Sequence, residues 1–189
     1  MSKLLKKLYL VYSLICVAIV LLDQLTKAYI VKTIELYNEK VIINGFFSFY
    51  HTRNTGSAFS FLADKSWGIY VLSGISVLMA LVILFLMIRA IKMDLYLIAL
   101  SMSMLFSGAV GNLIDRFRLK YVVDFLSFTF GTYNFAIFNV ADVFAVCGTI
   151  LLIAIIIFDS KKFDLLLASF EKKTKEDKKE SIDVNSESK

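Results

Sequence analysis

The sequence predicts an all-α membrane bundle of four transmembrane helices with a small extracytoplasmic β element. Hydrophobic residues make up 58% of its 189 residues, and the mean hydropathy is +0.72. Soluble domains contain about 45–50% apolar residues. The chain also holds four long uncharged runs, and one Asn-Gly pair lies between two β-prone segments. Together these observations indicate an integral membrane protein built as one compact bundle.

Helix one is predicted over residues 8–30. The uncharged run Leu8 to Leu22 has 15 residues, whereas a helix needs about 20 to cross the hydrocarbon core. The helix must therefore continue past Asp23. A cleaved signal peptide is the alternative, because lysines precede the run, but no small-x-small cleavage site follows it. Bulky Ile15 also argues against a lipid-attachment site at Cys16. We therefore expect a retained helix.

The following elements alternate between spans and loops. An outer segment over about 32–65 contains Asn44-Gly45 between two β-prone runs, which is the strongest short-range signal for a hairpin. The remaining elements are predicted as helix two over 66–88, helix three over 95–115, a second outer loop over about 116–137 and helix four over 138–158.

Helix four carries the most informative residue. Its uncharged run, Val143 to Phe158, has 16 residues, so a spanning helix must begin near Phe138. That start places Asp142 inside the span. A carboxylate in the centre of a membrane helix costs about 2.5–3.5 kcal/mol on insertion scales, and such residues usually mark functional sites.

The distribution of Lys and Arg predicts the orientation. Thirteen lie on the side of both termini and seven on the side of the two longer loops, which favours cytoplasmic termini. The net charge of +5 then indicates anchoring to anionic lipid and not nucleic-acid binding. We expect residues 1–160 to form the bundle and 161–189 a charged cytoplasmic tail. Residues 161–170 have the pattern of a short interfacial helix, and the tail is expected to be disordered after about 170.

Four groups of polar residues are predicted at one depth, the outer boundary. They are Asp23 with Lys27, then Gly108, Gly111, Asn112 and Asp115, then Asn139 with Asp142, and finally Asp124 in the second outer loop. Taken singly, these groups have ordinary explanations: a surface ion pair, close helix packing, or an exposed turn at Asp115. Their convergence at one depth favours a single functional site.

Paired carboxylates in a low-dielectric pocket share one proton, which leaves one base and one acid. The base can activate a water against a carbonyl, and the acid can protonate a leaving amine. His51 is the only histidine and is interpreted as a loop residue. Cys16 and Cys147 are interpreted as buried packing residues at mid-helix depth. The sequence therefore predicts no metal and no cofactor.

Five segments resemble the ordered motif set of lipoprotein signal peptidases (signal peptidase II). They are Asp23-Gln24-Leu25-Thr26-Lys27, Arg53 to Phe59, Gly108 to Arg116, Val123-Asp124-Phe125 and Phe138 to Asp142. The resemblance implies a membrane-embedded aspartic endopeptidase of the bacterial cytoplasmic membrane. Such enzymes remove the signal peptide of a prolipoprotein on the N-terminal side of its diacylglyceryl-modified cysteine. The implied partners are that substrate and membrane lipid, while the oligomeric state stays open.

The resemblance also implies roles for individual residues. Asp124 and Asp142 match the catalytic pair. Asn54 and Asn112 are expected to bind the substrate backbone or to orient that pair, and Asp115 with Arg116 to brace the pocket. The full set of matched supporting positions is Asp23, Lys27, Asn54, Gly56, Gly108, Asn112, Asp115, Arg116, Asn139 and Ala141.

Two other function classes remain open from the sequence. A small proton-coupled transporter or channel would also place carboxylates within the membrane, although here the acidic residues cluster at one boundary. A non-catalytic membrane binding or scaffold protein is the other alternative, and it leaves the cost of burying Asp142 unexplained.

Overall fold

The computed structural model describes residues 2–56 and 67–169. Within them lie α1 (Lys3–Thr33), α2 (Gly68–Lys92), α3 (Tyr96–Leu119) and α4 (Val140–Phe158). Each of these four helices is long and apolar enough to cross a membrane. The predicted four-helix membrane bundle is therefore confirmed. Residue 66, the predicted start of helix two, lies outside the described residues.

The caps explain where the first and last spans begin. α1 starts five residues before the predicted position because the Ser2 side chain accepts a hydrogen bond from the Leu5 N–H at 3.2 Å. α4 starts at Val140, not Phe138, because Asn139 and Asp142 form a reciprocal capping box. Asp142 therefore lies in the first turn of α4, where the helix dipole favours a negative charge.

A four-stranded antiparallel sheet lies beside one end of the bundle. Its strands are β1 (Glu39–Ile43), β2 (Phe47–Asn54), β3 (Val122–Phe130) and β4 (Tyr133–Asn134), paired in the order β1-β2-β3-β4. The predicted Asn-Gly hairpin joins β1 to β2. Gly45 has φ +71°, and the Phe46 N–H closes the turn on the Ile43 carbonyl at 3.0 Å. The small β element is thus confirmed.

The segment predicted as a second outer loop is largely ordered structure. α3 continues to Leu119, and β3 begins at Val122, so Asp124 lies in a strand and not in a loop. Alternate aromatic and β-branched residues favour a strand here. That preference is realised only because β2 supplies the hydrogen-bonding partner, with Thr52 opposite Asp124.

α3 is the central helix and packs against the other three. The largest buried apolar cluster fills the end of the bundle away from the sheet, where it includes Tyr12, Ile91, Ile98 and Ile155. A smaller cluster of Ile30, Ile34 and Phe125 joins α1 to β3. The sheet end of the bundle is consequently left for polar side chains.

Only one of the two cysteines is buried in the bundle. Cys16 is buried as predicted, but Cys147 is exposed on the outside of the bundle, so its interpretation as a buried residue is wrong.

Residues 160–169 form a helix whose Leu166 is buried in the large apolar cluster. The Arg89 guanidinium donates to the Ser169 carbonyl at 3.0 Å. The tail predicted to be disordered, beyond residue 170, lies outside the described residues.

Candidate active site

Asp124 and Asp142 approach each other from different elements, β3 and the first turn of α4. Asp124 is 3% exposed. Its Oδ2 accepts a hydrogen bond from Asn54 Nδ2 at 2.9 Å, and its Oδ1 accepts one from Asn139 Nδ2 at 2.7 Å. Both oxygens of this carboxyl group are therefore held by asparagine side chains.

Asp142 is held in the same way. Its Oδ1 accepts from Asn112 Nδ2 at 2.8 Å, and its Oδ2 accepts from the Asn139 N–H at 3.1 Å. Asn139 thus donates to both carboxyl groups, once through its side chain and once through its backbone. All four carboxyl oxygens of the pair have a hydrogen-bond donor, which fixes the orientation of both groups.

Lys27 lies at the centre of a second, supporting layer. Its Nζ is 2.9 Å from Asp23 Oδ2, 3.0 Å from Asp115 Oδ2 and 3.0 Å from Asn112 Oδ1. Asp23 is fully buried and Lys27 is 3% exposed, so the surface ion-pair explanation is wrong. Asp115 is 2% exposed within α3, so it does not lie in an exposed turn. The three N–H donors of the ammonium group match these three acceptors.

The two acidic partners of Lys27 each hold the residue that precedes a candidate catalytic aspartate. Asp23 Oδ1 accepts from the Ala141 N–H at 2.9 Å, and Ala141 precedes Asp142. Asp115 Oδ2 accepts from the Val123 N–H at 3.1 Å, and Val123 precedes Asp124. Lys27 pairs with both Asp23 and Asp115, so it links the backbone of α4, which carries Asp142, to the backbone of β3, which carries Asp124.

Two glycines of α3 permit the close approach of α4 and α1. A Cβ at Gly108 would lie 2.5 Å from the Ala141 carbonyl oxygen, and one at Gly111 would lie 2.7 Å from Asp23 Oδ2. Real Cβ atoms essentially never come this close to other atoms. Ala141 is itself fully buried against this surface. Any larger side chain at these positions would push apart the helices that hold the site.

Comparisons with known proteins identify the family to which this chain belongs. A family model described as signal peptidase (SPase) II matches residues 15–158. The chain belongs to the signal peptidase II family. It is 41% identical over 150 residues to the lipoprotein signal peptidase of Geobacter sulfurreducens, covering 79% of this chain and 92% of that protein. It is 43% identical over 155 residues to the lipoprotein signal peptidase of Enterococcus faecalis, covering 82% and 92%.

Solved structures give the same result for the fold. The chain is similar to a bacterial membrane enzyme solved by the in meso method at 2.3 Å resolution, with a TM-score of 0.67 and 31% identity over 79% of this chain and 89% of that one. A second such structure, at 1.9 Å, gives a TM-score of 0.66 and 30% identity, covering 79% and 94%. The chain is therefore a multi-pass bacterial membrane enzyme of the signal peptidase II type, an aspartic peptidase.

In this signal peptidase II, burial sets the protonation of the strand aspartate. Desolvation raises the pKa of Asp124 to about 6, and the negative charge of Asp142 acts in the same direction. Hydrogen bonds from Asn54 and Asn139, together with the positive charge of Lys27, oppose that rise. A carboxyl group with a pKa of about 6 is suited to acid–base chemistry near neutral pH.

Gly56 and Arg116, the remaining predicted residues, lie beside the groups that surround Asp124 and Asp142. The Gly56 N–H donates to Asn54 Oδ1 at 3.0 Å, which turns Asn54 Nδ2 towards Asp124. The Arg116 guanidinium lies close enough to Asp115, Asp124 and Asp142 to interact with their charges. However, its Nε is buried and has no hydrogen-bond partner among the described residues.

Sequence reasoning missed one member of the site and misplaced another. Gln24 Nε2 donates at 3.1 Å to Asp23 Oδ2, to the Gly111 carbonyl and to Asp115 Oδ1. Its position inside the Asp23–Lys27 motif, in an otherwise apolar helix, was the available signal. His51 is not a loop residue, because it lies in β2 and is 5% exposed.

The donor set does not resemble a metal site. Among residues 2–56 and 67–169, no three His, Cys, Asp or Glu side chains converge as metal ligands do. The lysine ammonium group occupies the position between Asp23 and Asp115. The site therefore presents two oriented carboxyl groups, one on β3 and one in the first turn of α4, and hydrogen-bond donors hold both of them.

Proposed function

We propose that this chain removes the signal peptide of prolipoproteins on the N-terminal side of the diacylglyceryl-modified cysteine, with Asp124 and Asp142 as the catalytic pair. The observation that carries the proposal is the shared donor Asn139, which hydrogen-bonds to the carboxyl groups of both Asp124 and Asp142. This arrangement supports a dyad because two neighbouring carboxylates in a low-dielectric site cannot both ionise easily and so retain one proton.

In the proposed reaction, the ionised carboxylate accepts a proton from a water held between the two groups. The water oxygen attacks the carbonyl carbon of the scissile peptide bond, while the protonated carboxyl group donates a hydrogen bond to the carbonyl oxygen. A proton then passes to the amine of the modified cysteine, and the C–N bond breaks. A bound substrate excludes further water and so raises the pKa of Asp124 again, which keeps a proton on the pair at neutral pH.

The asparagines act on the carboxyl groups in this mechanism. Asn54 donates to Asp124, Asn112 donates to Asp142, and Asn139 donates to both. Of the two roles expected for Asn54 and Asn112, these contacts favour orienting the pair over binding the substrate backbone. Asp23 and Asp115, which both pair with Lys27, hold the backbone N–H groups of the residues that precede Asp142 and Asp124.

The lipid on the substrate explains why the site lies at one end of a membrane bundle. Each buried methylene group of an acyl chain contributes about 0.8 kcal/mol of membrane affinity. Acyl chains held in the bilayer would therefore keep the scissile bond at a fixed depth. A pair of carboxyl groups at the matching depth can then act on a peptide bond that never leaves the membrane surface.

The packing of the bundle disfavours a transporter or channel. Such a protein needs polar groups along a path through the whole membrane. In the part of the chain that the structure describes, the buried acidic side chains lie at the sheet end, and an apolar cluster around Ile91 and Ile98 fills the opposite end. The apolar packing of this second half therefore disfavours a continuous proton path through the membrane.

The test of function is cleavage by the purified enzyme in lipid vesicles, with both products identified by mass spectrometry. We expect one cut, immediately before the modified cysteine, in a diacylglyceryl-modified prolipoprotein. The same precursor without the lipid is the control and is expected to be cleaved far more slowly. Cleavage at another bond, or proton flux across the vesicles without cleavage, would contradict the proposal.

We also propose that both termini are cytoplasmic and that the sheet and the catalytic pair lie at the outer leaflet boundary. In a background with Cys16→Ala and Cys147→Ala, a thiol introduced as Asn44→Cys should react with an impermeant reagent added outside intact cells. A thiol introduced as Lys161→Cys should react only after the inner face is opened. Labelling in the reverse pattern would overturn the orientation.

The pH dependence of cleavage tests the contact between Asn54 and Asp124. Loss of a proton from the pair lowers activity, so the rate falls as the pH rises through the pKa of Asp124. The Asn54 hydrogen bond favours the ionised form and lowers that pKa. Asn54→Ala should therefore move the alkaline limb of kcat/KM upwards by about one to two pH units, since a hydrogen bond to a charged group contributes about 1.5–3 kcal/mol.

The control for this pH profile is Asn134→Ala, an exposed asparagine in β4 of the same sheet. Its profile should coincide with that of the parent enzyme. A limb that stays in place in Asn54→Ala, or that moves to lower pH, would contradict the assigned hydrogen bond.

A further inference from the structure

His51 joins the sheet to the end of α1. It lies in β2 at an irregularity where the pairing with β3 shifts between Phe49 and Thr52. Its backbone N–H donates to the Asn38 carbonyl at 3.1 Å, and its carbonyl accepts from the Tyr37 N–H at 2.8 Å. Its Nδ1 is 2.8 Å from the Ile34 carbonyl oxygen. Three polar groups of His51 therefore contact the short connection between α1 and β1.

The imidazole must be the donor in its contact with Ile34. A carbonyl oxygen only accepts hydrogen bonds, so the proton lies on Nδ1. Ile34 is the C-cap of α1 and is buried with Ile30 and Phe125. The bond is thus buried at both ends, and its loss would leave an unsatisfied carbonyl in an apolar environment.

The strand that His51 anchors leads directly to the catalytic pair. The next residue, Thr52, is paired with Asp124 across β2 and β3, and Asn54 donates to Asp124 Oδ2. At its other end, His51 contacts α1, the helix that carries Asp23 and Lys27. Irregularities of this kind occur next to active sites, where they redirect a side chain.

We propose that His51 is a positioning residue for the cleavage reaction. Its Nδ1–H bond to the Ile34 carbonyl fixes β2 against the end of α1 and thereby keeps Asn54 in hydrogen-bonding distance of Asp124. The residue does not contact the reacting atoms. This inference rests on the proposed function, because it requires Asp124 to be a catalytic group.

Three substitutions of His51 distinguish the effect of its hydrogen bond to the Ile34 carbonyl from the effect of the volume of its ring. His51→Asn places an amide N–H close to the position of Nδ1, His51→Gln places it one bond further out, and His51→Leu removes the donor. We expect His51→Asn to keep kcat within about twofold of the parent. His51→Gln and His51→Leu should lower kcat about 10-fold to 100-fold, as a displacement of about 1 Å can do, with KM changed less than about threefold.

A second readout distinguishes positioning from a general loss of structure. When β2 shifts, the hydrogen bond from Asn54 to Asp124 weakens, so the alkaline limb of the pH profile should move to higher pH in His51→Gln and His51→Leu. A smaller folded fraction would lower the rate at every pH without moving the limb. If His51→Leu does not fold, the comparison of His51→Asn with His51→Gln decides the question.

Several outcomes would overturn the inference. They are parental kcat in His51→Gln and His51→Leu, equal losses in all three variants, or a loss confined to KM. Asp124→Asn, measured in the same assay, separates this result from the proposed function. An inactive Asp124→Asn with unaffected His51 variants would reject the role of His51 alone, whereas an active Asp124→Asn would reject the catalytic pair itself.

Discussion

Replacing either Asp124 or Asp142 by asparagine is expected to lower kcat for prolipoprotein cleavage by about 10³-fold or more. General acid–base catalysis by one positioned group contributes about 10²–10⁴-fold. In the proposed mechanism, each carboxyl group of the pair acts once as acid and once as base. Asparagine has nearly the same volume and keeps one oxygen acceptor, so it removes the exchangeable proton with little change in packing.

The matched control is Asp159→Asn. Asp159 is 41% exposed and pairs with Lys162 beyond the end of α4, far from the candidate pair. This variant should cleave at the parental rate. Thermal unfolding of all three variants shows whether a lost rate reflects lost structure, which matters most for Asp142 because it also caps α4. Loss of the fold in both active-site variants would mean that these residues are mainly structural.

Replacing Lys27 by methionine is expected to have the second-largest effect, on stability as well as on activity. Methionine preserves the length of the side chain and removes its charge. Asp23 and Asp115 would then be buried without the cation that contacts both. Removing one partner of a buried ion pair typically costs about 3–5 kcal/mol. The loss would also release the backbones at Ala141 and Val123 that these two carboxylates hold.

Thermal unfolding in detergent measures this effect. Lys32→Met on the same helix is the control because Lys32 is exposed, and its unfolding temperature should match that of the parent. Adding Asp23→Asn to Lys27→Met should recover part of the lost stability, since it removes one of the two uncompensated charges. An unfolding temperature of Lys27→Met equal to that of Lys32→Met would contradict the assigned network.

The spans, the hairpin and the positions of Asp115 and Asp142 on their helices could be predicted from the sequence because they depend on local patterns. The length of an apolar run places Asp142 within helix four, and the Asn44-Gly45 pair predicts the hairpin. The spacing of Gly108, Asn112 and Asp115 puts them on one helix face. These inferences need only the geometry of a helix or a turn, and the structure confirms the elements on which they depend.

The contacts that complete the site could not be predicted in this way, because they join distant parts of the chain. Asp124 lies in a strand only because β2 pairs with that segment, and its partner Asn54 is 70 residues away in sequence. Lys27 and Asp23 have the spacing of a common surface ion pair. Their burial depends on Asp115 and Ala141, which the packing of α3 and α4 brings to them. Gln24 was missed for the same reason.

The central claim is that Asp124 and Asp142 act as one catalytic unit, and single-turnover cleavage by the two single variants and the double variant tests it most directly. Residues that act as a unit show strongly non-additive losses. We therefore predict that Asp124→Asn combined with Asp142→Asn cleaves a diacylglyceryl-modified prolipoprotein within about threefold of the slower single variant. A parental rate in either single variant, or a double variant whose loss equals the product of the two single losses, would contradict the claim.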